Sequence, residues 1–550
     1  MVVVLKVNGV SSHVYMPGAS DLNDTEKGRV APFFSNVDKD IFVLVNLPEV
    51  IKGTLFSRYS RSDKSARRLL LDEFLQNKDI SDLIGGSSNP SSALNVGRAE
   101  DFYQRILVGY GDDSVAELAG AHIACENVSS LAADYLTDSR IGISPLEKSA
   151  RYVLFDKKTD GKYLWYAEPK IMGSKYGERY AALMDSLFST YSEWLPVVMQ
   201  YIRDVSPKST DTSERAYESA TRAKACDVLK NILPASRLTN VGIFGNGRAL
   251  EYLLTKLHSS GLAEVRSIAD EMHVELAKVI PAFVKRAEAN PYLLSVNKSI
   301  LEFAAKIKPD YSSRETYVRL ADYDKNAEQK VIASMLYPHA SIGMAALIDK
   351  ASNMGAEERQ AIVDAYLAGR RHRRDRPGRA LEHSFYTFEI CANYGMFRDL
   401  HRHRIMTQEH QRLTAHLGFD MPVELMEMGL SEDFKNLLSE AKSLFSEMEP
   451  EMPYEAQYCV PRAFRMRWYM KLNLREIYHL TELRSSKQGH PDYRKLAQEM
   501  KRLVAEVHPS LTGNMFVDMN DYALPRLESE KRIDYKLSLL EKKENREANK

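Results

Sequence analysis

The stretch that decides the fold is 398–421, which reads Arg-Asp-Leu-His-Arg-His-Arg-Ile-Met-Thr-Gln-Glu-His-Gln-Arg-Leu-Thr-Ala-His-Leu-Gly-Phe-Asp-Met. At its centre, residues 401–404 are all Arg or His. Neighbouring cations repel one another and are costly to bury, so this run favours a position beside an anionic or electron-rich group. A solvated basic turn is the alternative, and the residues upstream decide between the two.

A half-buried strand is predicted directly upstream of this run. Apolar and polar residues alternate over 386–390, and the inward positions are Tyr386, Phe388 and Ile390. Glu382 and His383 precede the strand, and Glu382 lies 20 residues before Arg402.

With that spacing the chain resembles the flavin-dependent thymidylate synthases. That family has Arg-His-Arg, two further residues, Ser, and then Asn-Glu, Ser, Arg and Tyr at short spacings, with a Glu-His pair about one strand and one turn earlier. Arg402, His403 and Arg404 match the Arg-His-Arg, and Glu382 matches the Glu of the pair. Thr407 replaces the first Ser. The later positions differ from the family and hold His410, Arg412 and Thr414.

An earlier stretch matches the missing part. Residues 144–152 read Ser-Pro-Leu-Glu-Lys-Ser-Ala-Arg-Tyr, which follows the family's Ser-x-x-Glu-x-Ser-x-Arg-Tyr except that Leu146 replaces its Asn. The matching residues are Ser144, Glu147, Ser149, Arg151 and Tyr152. The Arg-His-Arg position here holds Asp138-Ser139-Arg140, and the Glu-His pair is Glu117-Leu118. Each half therefore holds the part of the motif that the other half lacks.

A second pair of matches indicates an internal repeat. A Leu-Pro pair ending at Pro234 is followed 12 residues later by Asn-Gly-Arg, starting at Asn246. A Val-Pro pair ending at Pro461 is followed at the same distance by Asn-Leu-Arg, starting at Asn473.

The two pairs of matches have different offsets. Pro234 and Pro461 are 227 residues apart, whereas Ser144 and Thr407 are 263 apart, so the first copy needs about 36 more residues between its motifs. We predict an N-terminal extension with a first module over 1–310, a second module over 311–526, and a charged tail over 527–550.

The resemblance implies an α+β fold with two tandem, diverged modules, each a mixed sheet flanked by helices. It also implies an FAD-dependent enzyme that converts dUMP to dTMP, with methylenetetrahydrofolate supplying the carbon and NADPH reducing the flavin. The family's enzymes are homotetramers with sites between subunits. We therefore expect a two-module chain to form a homodimer that resembles a tetramer of modules.

Carried over residue by residue, the resemblance implies two sets of ligand contacts. The flavin contacts are Glu382, Arg402, His403, Arg404, Thr407, Asn473 and Arg475. The dUMP contacts are Ser144, Glu147, Ser149, Arg151 and Arg484. Arg484 is also implied to be catalytic, because a guanidinium beside the pyrimidine favours its enolate-like charge.

The two copies depart from the family in ways that leave a second interpretation open. The first copy has Leu257 where the second has Arg484, and an Arg four residues before the Pro is replaced by Lys230 and Gln457. Because each copy holds only part of the motif, the alternative is a non-catalytic homologue that binds flavin or nucleotide on the same scaffold.

Composition excludes several classes of function. The 550-residue chain has 75 basic and 75 acidic residues, so its net charge does not favour nucleic acid or a membrane surface. There is no long apolar run, and the four cysteines form no Cys-x-x-Cys pair, so we expect a cytoplasmic protein without a zinc site. Residues 370–379 hold six Arg and are read either as a solvated loop or as a phosphate-facing loop.

Helices are predicted between the motifs. Residues 180–205 and 357–367 have helical periodicity, and 261–289 does too, with a break at Pro281. Residues 1–40 are read as an irregular extension, and the tail as a frayed helix or disordered segment.

Overall fold

The computed structural model describes residues 2–7, 10–15, 22–39, 41–60, 62, 64–75, 116–138, 141–312 and 315–548. Its strands are β1 Val2–Val7, β2 Val10–Tyr15, β3 Gly120–Ser129, β4 Ile143–Glu147, β5 Leu238–Asn246, β6 Tyr317–Tyr323, β7 Phe385–Asn393, β8 Met406–His410 and β9 Arg465–Asn473. The α-helices of the described residues begin with α1 Asp24–Val30, α2 Glu49–Tyr59, α3 Ala66–Leu69, α4 Ser130–Thr137, α5 Pro169–Met172, α6 Gly177–Val205, α7 Glu214–Leu229, α8 Gly247–His258, α9 Ala263–Ala277 and α10 Pro281–Val284. They continue with α11 Pro291–Ala304, α12 Ala327–Leu336, α13 Met344–Asn353, α14 Ala356–Leu367, α15 Tyr394–Leu400, α16 Val423–Glu427, α17 Ser431–Met448, α18 Leu474–Arg484, α19 Pro491–Val507 and α20 Leu527–Ala548.

The chain divides into two compact units. The first unit comprises residues 1–126, 135–147 and 240–307, and the second comprises 127–134, 148–239 and 308–550. Strand order β3-β5-β4 forms the sheet of the first unit, apart from the ends of β3 and β5. Within it β4 runs antiparallel to β5, with Ser144 opposite Phe244.

The second unit contains a four-stranded sheet in the order β6-β7-β9-β8, and each of its strand pairs is antiparallel. Strand β7 is central, and its predicted inward residues Tyr386, Phe388 and Ile390 are fully buried. Trp468 on β9 stands opposite Ile390 in the same core. The prediction of an α+β chain is confirmed, because helices and antiparallel sheets make up both units.

The repeat is visible in the order of elements. Strand β4 begins at Ile143 and β8 at Met406, which reproduces the offset of 263, and β5 and β9 begin at Leu238 and Arg465, which reproduces the offset of 227. Between β4 and β5 the first copy has α6 of 29 residues and α7 of 16. Between β8 and β9 the second copy has α16 of 5 residues and α17 of 18. The longer helices of the first copy therefore account for most of its extra length.

The two Pro motifs pair with each other inside the second unit. Pro234 and Pro461 form an antiparallel bridge. The Ala235 amide donates to Val460 O at 2.9 Å, and the Arg462 amide donates to Leu233 O at 3.1 Å. Repeated sequences thus face each other across a local two-stranded contact.

Several local predictions are settled. Helix α9 ends before Pro281, which begins α10, as predicted. The expectation of an irregular N-terminus is wrong for β1 and β2, which pair with each other in antiparallel orientation. The sequence does contain a signal for two paired strands, since Asn-Gly lies between two runs that contain several Val residues.

The tail is helical rather than disordered over α20. The Ser213 hydroxyl donates to Asp534 at 2.6 Å and the Ser219 hydroxyl to Glu530 at 3.0 Å, so the tail helix lies against α7. Among the described helices, none combines the length and apolarity that a membrane span requires.

Candidate functional site

The Arg/His run forms the turn between α15 and β8. His401 and His403 are buried, whereas Arg402 and Arg404 are exposed. Side chains of alternate residues therefore point to opposite sides, and this relieves the repulsion expected of four adjacent basic residues. The two buried side chains are imidazoles, which can lose their charge, whereas the two exposed side chains are guanidiniums, which cannot.

Both ring nitrogens of His403 are engaged. Nε2 lies 2.9 Å from Nε of Arg484, and Nδ1 lies 2.8 Å from the Glu476 carboxylate. Because a guanidinium only donates, His403 Nε2 must accept, and the ring proton therefore sits on Nδ1 and is donated to Glu476. Burial, with Arg484 next in effect, lowers the pKa of His403 well below its ordinary value, so this imidazole is neutral.

Helix α18 positions Glu476 and Arg484 on this turn. Asn473 caps the helix by accepting from the Glu476 amide at 2.9 Å, which places Glu476 in the first turn and Arg484 at the end. Burial raises the pKa of the Glu476 carboxyl to about 7. The cap uses the Oδ1 atom of Asn473, a residue predicted to contact flavin.

The Glu and Arg of the two family motifs are paired in both copies. In the second unit Arg475 Nη1 donates to Glu382 at 2.9 Å, and in the first unit Arg248 Nη1 donates to Glu117 at the same distance. Asn246 caps α8 as Asn473 caps α18. This correspondence shows that the two copies share local geometry as well as motif order.

In the second unit, the Arg/His turn, helix α18 and the segment before β7 enclose a cavity of about 560 Å³, called here the basic cavity. Its lining includes the predicted flavin contacts Glu382, Arg402, His403, Arg404, Asn473 and Arg475, together with Arg484. Arg373, Arg376, Glu476, His479 and Glu482 also line it. The volume is in the range of ordinary ligand sites, and the many guanidiniums favour an anionic ligand.

The same cavity contains a set of atoms with the spacing of a metal site. Donor atoms of His403, Glu476 and His479 lie within 4.8 Å of one another. Burial lowers the pKa of His479, and the nearby guanidiniums of Arg376 and Arg373 lower it further. A site with so much positive charge disfavours a divalent cation and favours an anion.

The predicted nucleotide contact Arg151 and the predicted catalytic Arg484 meet on one aromatic ring. Their guanidinium carbons each lie 5.6 Å from the ring centroid of Tyr493, in helix α19. Arg151 also donates to Asp227 at 2.9 Å and to the Tyr493 hydroxyl at 3.3 Å. Residues predicted from different copies are therefore brought together within the second unit.

Asp399, next to the Arg/His run, lies among four cations. Burial would raise the pKa of its carboxyl, but the cations hold that pKa below its ordinary value. They are Lys230, Arg151, Arg402 and Arg484. Lys230 Nζ lies 3.7 Å from Asp399 and 3.3 Å from Asp227. Four cations against two carboxylates leave a net positive charge, which suits a phosphate group.

Other predicted residues lie elsewhere. Thr407 is exposed on β8 opposite Lys471 and does not line the basic cavity. Ser144 and Glu147 lie on β4 in the first unit, whereas Ser149 and Arg151 belong to the second. The Ser149 hydroxyl accepts from the Arg151 amide at 3.4 Å.

The first copy has its own residues at the positions of Arg484 and of the Arg-His-Arg. Leu257, the counterpart of Arg484, is buried in the first unit. Ser139 and Arg140, at the position of the Arg-His-Arg, lie outside the described residues.

A larger cavity of about 870 Å³ in the second unit has walls held together by their own hydrogen bonds. Asp420 accepts from Arg465 at 2.6 Å, from Thr316 at 2.9 Å and from Asn393 at 3.0 Å. Asp420 and Arg465 of this wall therefore satisfy each other's charge within the protein.

Sequence reasoning missed several residues of the site. Tyr493 and Asp399 belong to no motif, and nothing in the sequence marks them. Glu476 could have been noticed as the third residue after the capping Asn473, where an acidic residue is common.

Comparison with known proteins follows the same division into two copies. Residues 60–282 and 319–510 match the family model described as thymidylate synthase complementing protein. A UPF0159 protein of Chlamydia muridarum is 40% identical over 522 residues, which is 93% of this chain and 98% of the relative. One of Chlamydia pneumoniae is 41% identical over 518 residues, 92% and 97% of the two chains. A UPF0159 protein of Thermoplasma acidophilum is 34% identical over 514 residues, which is 88% of this chain and 99% of the relative. The two matched segments confirm the predicted tandem member of this family.

Proposed function

The chain belongs to the thymidylate synthase complementing protein family, and from this premise we propose that it is an FAD-dependent thymidylate synthase. It would methylate dUMP reductively to dTMP, with methylenetetrahydrofolate as carbon donor and NADPH as reductant. One observation carries the proposal: Arg484 bonds to His403 of the Arg-His-Arg turn and shares the Tyr493 ring with Arg151. The two halves of the family motif, split between the copies, meet through these contacts.

The residues of the basic cavity fit a flavin dinucleotide. Cations outnumber carboxylates on its wall, and Glu382 is already paired with Arg475. A dianionic diphosphate would balance this excess charge. Bound reduced FAD would supply the hydride. The chain would contribute the guanidiniums of Arg402, Arg404 and Arg475 as fixed donors, and the neutral His403 as a rigid support for Arg484.

The nucleotide would lie along the Arg151–Tyr493–Arg484 array. Arg151 would give its guanidinium to the phosphate, helped by Lys230, the conservative replacement of the family's Arg. Arg484 would face the pyrimidine, where its charge stabilises the negative charge that develops as the ring carbon becomes nucleophilic. Arg151 is held by Asp227, so phosphate binding would exchange one anionic partner for another.

We propose one complete site in each chain and a homodimer of chains. Buried Leu257 replaces Arg484 in the first copy, so that copy lacks the proposed catalytic group. Helix α11 has no buried residue although it carries Tyr292, Ile300 and Phe303, all exposed. An exposed apolar helix of this kind favours a partner surface.

Two measurements on the purified full chain test the function. The visible absorbance spectrum should show a flavin, and tritium should be released from [5-³H]dUMP when the carbon donor and NADPH are present. A flavin spectrum without tritium release would favour the non-catalytic homologue, which the incomplete motif in each copy leaves as the second candidate. A protein that neither carries nor takes up flavin would overturn the proposal.

A further inference from the structure

Residues 370–379, called here the arginine loop, are tied at both ends to helix α18. Arg370 pairs with Glu482 at 2.8 Å, and the two side chains are only 7% and 2% exposed. Arg370 also donates to Asp375 O at 2.7 Å, and Arg475 Nε donates to Pro377 O at 2.8 Å. A loop fixed in this way presents its middle residues in a defined position, unlike a solvated basic loop.

Two of the middle arginines face the basic cavity. Arg373 and Arg376 line it, and neither makes a hydrogen bond or ion pair with any residue in the described part of the chain. Arg371 and Arg374, on the same loop, are exposed and do not line the cavity. Of these four arginines, one pair therefore lines the cavity and the other pair faces solvent.

Holding Arg373 and Arg376 beside a wall that already contains Arg402, Arg475 and Arg484 costs electrostatic free energy. The three carboxylates of this wall already have partners, since Glu482 is taken by Arg370, Glu382 by Arg379 and Arg475, and Glu476 by His403. Arrangements of this type are typical of sites completed by an anion, and planar guanidiniums suit phosphate oxygens in bidentate geometry.

Given the flavin site proposed above, we propose that Arg373 and Arg376 bind the diphosphate of the flavin dinucleotide. The loop would then select a phosphorylated flavin over riboflavin. Neither residue belongs to the motifs that carry the resemblance to the family. Its chemistry is that of a nucleoside diphosphate site.

The test is a titration of flavin-stripped full-length protein with FAD, riboflavin and ADP, followed by fluorescence quenching for the flavins and by calorimetry for ADP. The variants are Arg373→Ala with Arg376→Ala, and as matched control Arg371→Ala with Arg374→Ala, which removes the same charge from the same loop. The first double variant should bind FAD and ADP at least about ten- to a hundredfold more weakly. Its riboflavin affinity should be unchanged, and the control should match the wild type.

Equal FAD and ADP affinities in the first double variant and the wild type would overturn the assignment, as would equal losses in the control variant. A loss of affinity for a single-stranded oligonucleotide without a loss for FAD would also overturn it, in favour of a nucleic-acid contact. If the wild type binds no flavin, the proposed function fails. ADP binding that only the first double variant loses would then still support the diphosphate site.

Discussion

Arg484 donates a 2.9 Å hydrogen bond from Nε to Nε2 of His403. This bond joins the end of helix α18 to the Arg-His-Arg turn, two segments that lie far apart in sequence. It also fixes His403 in the tautomer that donates from Nδ1 to Glu476. Arg484 therefore has a defined orientation, which a group acting on developing charge in the proposed nucleotide site requires.

The first prediction concerns turnover. Arg484→Ala should lower the rate of tritium release from labelled dUMP by about 100- to 1000-fold, and dUMP affinity by much less. The reason is that the charge Arg484 stabilises grows as the ring is activated. Arg484→Lys keeps the charge and should recover part of the rate. Equal losses of rate and affinity would mean that Arg484 serves binding alone.

The second prediction concerns the phosphate. Arg151→Ala should weaken dUMP binding by roughly ten- to a hundredfold in a calorimetric titration, as expected for loss of a charged hydrogen bond. Arg179→Ala is the matched control, because Arg179 is a partly exposed arginine of the second unit that pairs with Glu447. Unchanged affinity in Arg151→Ala would remove the first-copy motif from the site and favour the non-catalytic homologue.

The motifs predicted the order of the elements, but not which side chains contact one another. The offsets of 263 and 227 residues are properties of the chain, and the strands reproduce them. Alternation over 386–390 predicted the buried face of β7, because a strand has a period of two. The pairing of Arg475 with Glu382 could not be derived, since charge pairing depends on how helix α18 meets the turn before β7.

Tyr493 shows most clearly what the sequence could not predict. A tyrosine near a helix start is common, and only the packing of α19 brings its ring under both Arg151 and Arg484. The placement of Thr407 was inferred from the family's Ser, but β8 leaves it exposed opposite Lys471. Short motifs thus indicate candidate residues, while tertiary packing decides which of them face one another.

The third prediction uses the repeat as its own control. Arg475→Ala should lower the flavin content of the purified protein, because Arg475 lines the basic cavity and holds both Glu382 and the arginine loop. Its first-copy counterpart, Arg248→Ala, removes the same Glu–Arg pair in the other unit and should leave flavin content unchanged. Equal flavin loss in both variants would indicate a general effect on folding. Full flavin content in Arg475→Ala would contradict the assignment of the cavity.

The fourth prediction is a pH dependence of stability. Burial raises the pKa of Glu476 to about 7, above the 4.5 of an unperturbed carboxyl. Between these values the unfolded chain gives up the proton and the folded chain keeps it, so stability should fall as pH rises from 4.5 to 7 and then level off. The loss attributable to this group is about 3 kcal/mol.

Glu476→Gln removes the ionisation and keeps an acceptor for His403. The thermal midpoint of this variant should therefore change less between pH 5 and pH 8 than that of the wild type, measured in the same buffers by circular dichroism. Parallel curves for the two proteins would show that Glu476 does not titrate in this range.

The last prediction concerns assembly. Helix α11 exposes Ile300 by 61% and Phe303 by 65%, on a stripe that continues to Ile307, which is 72% exposed. Burying such a stripe against a second chain would remove apolar surface from water, and this is the driving force we expect for a homodimer. Ile300→Glu with Phe303→Glu should convert the dimer to a monomer, as measured by light scattering. The control Lys298→Glu makes the same helix more negative without removing apolar surface, and this variant should remain dimeric. Because the basic cavity is built from residues of the second unit alone, the monomeric variant should keep its flavin. A wild-type chain that is monomeric with full flavin content would contradict the dimer, and a double variant that stays dimeric would place the interface elsewhere.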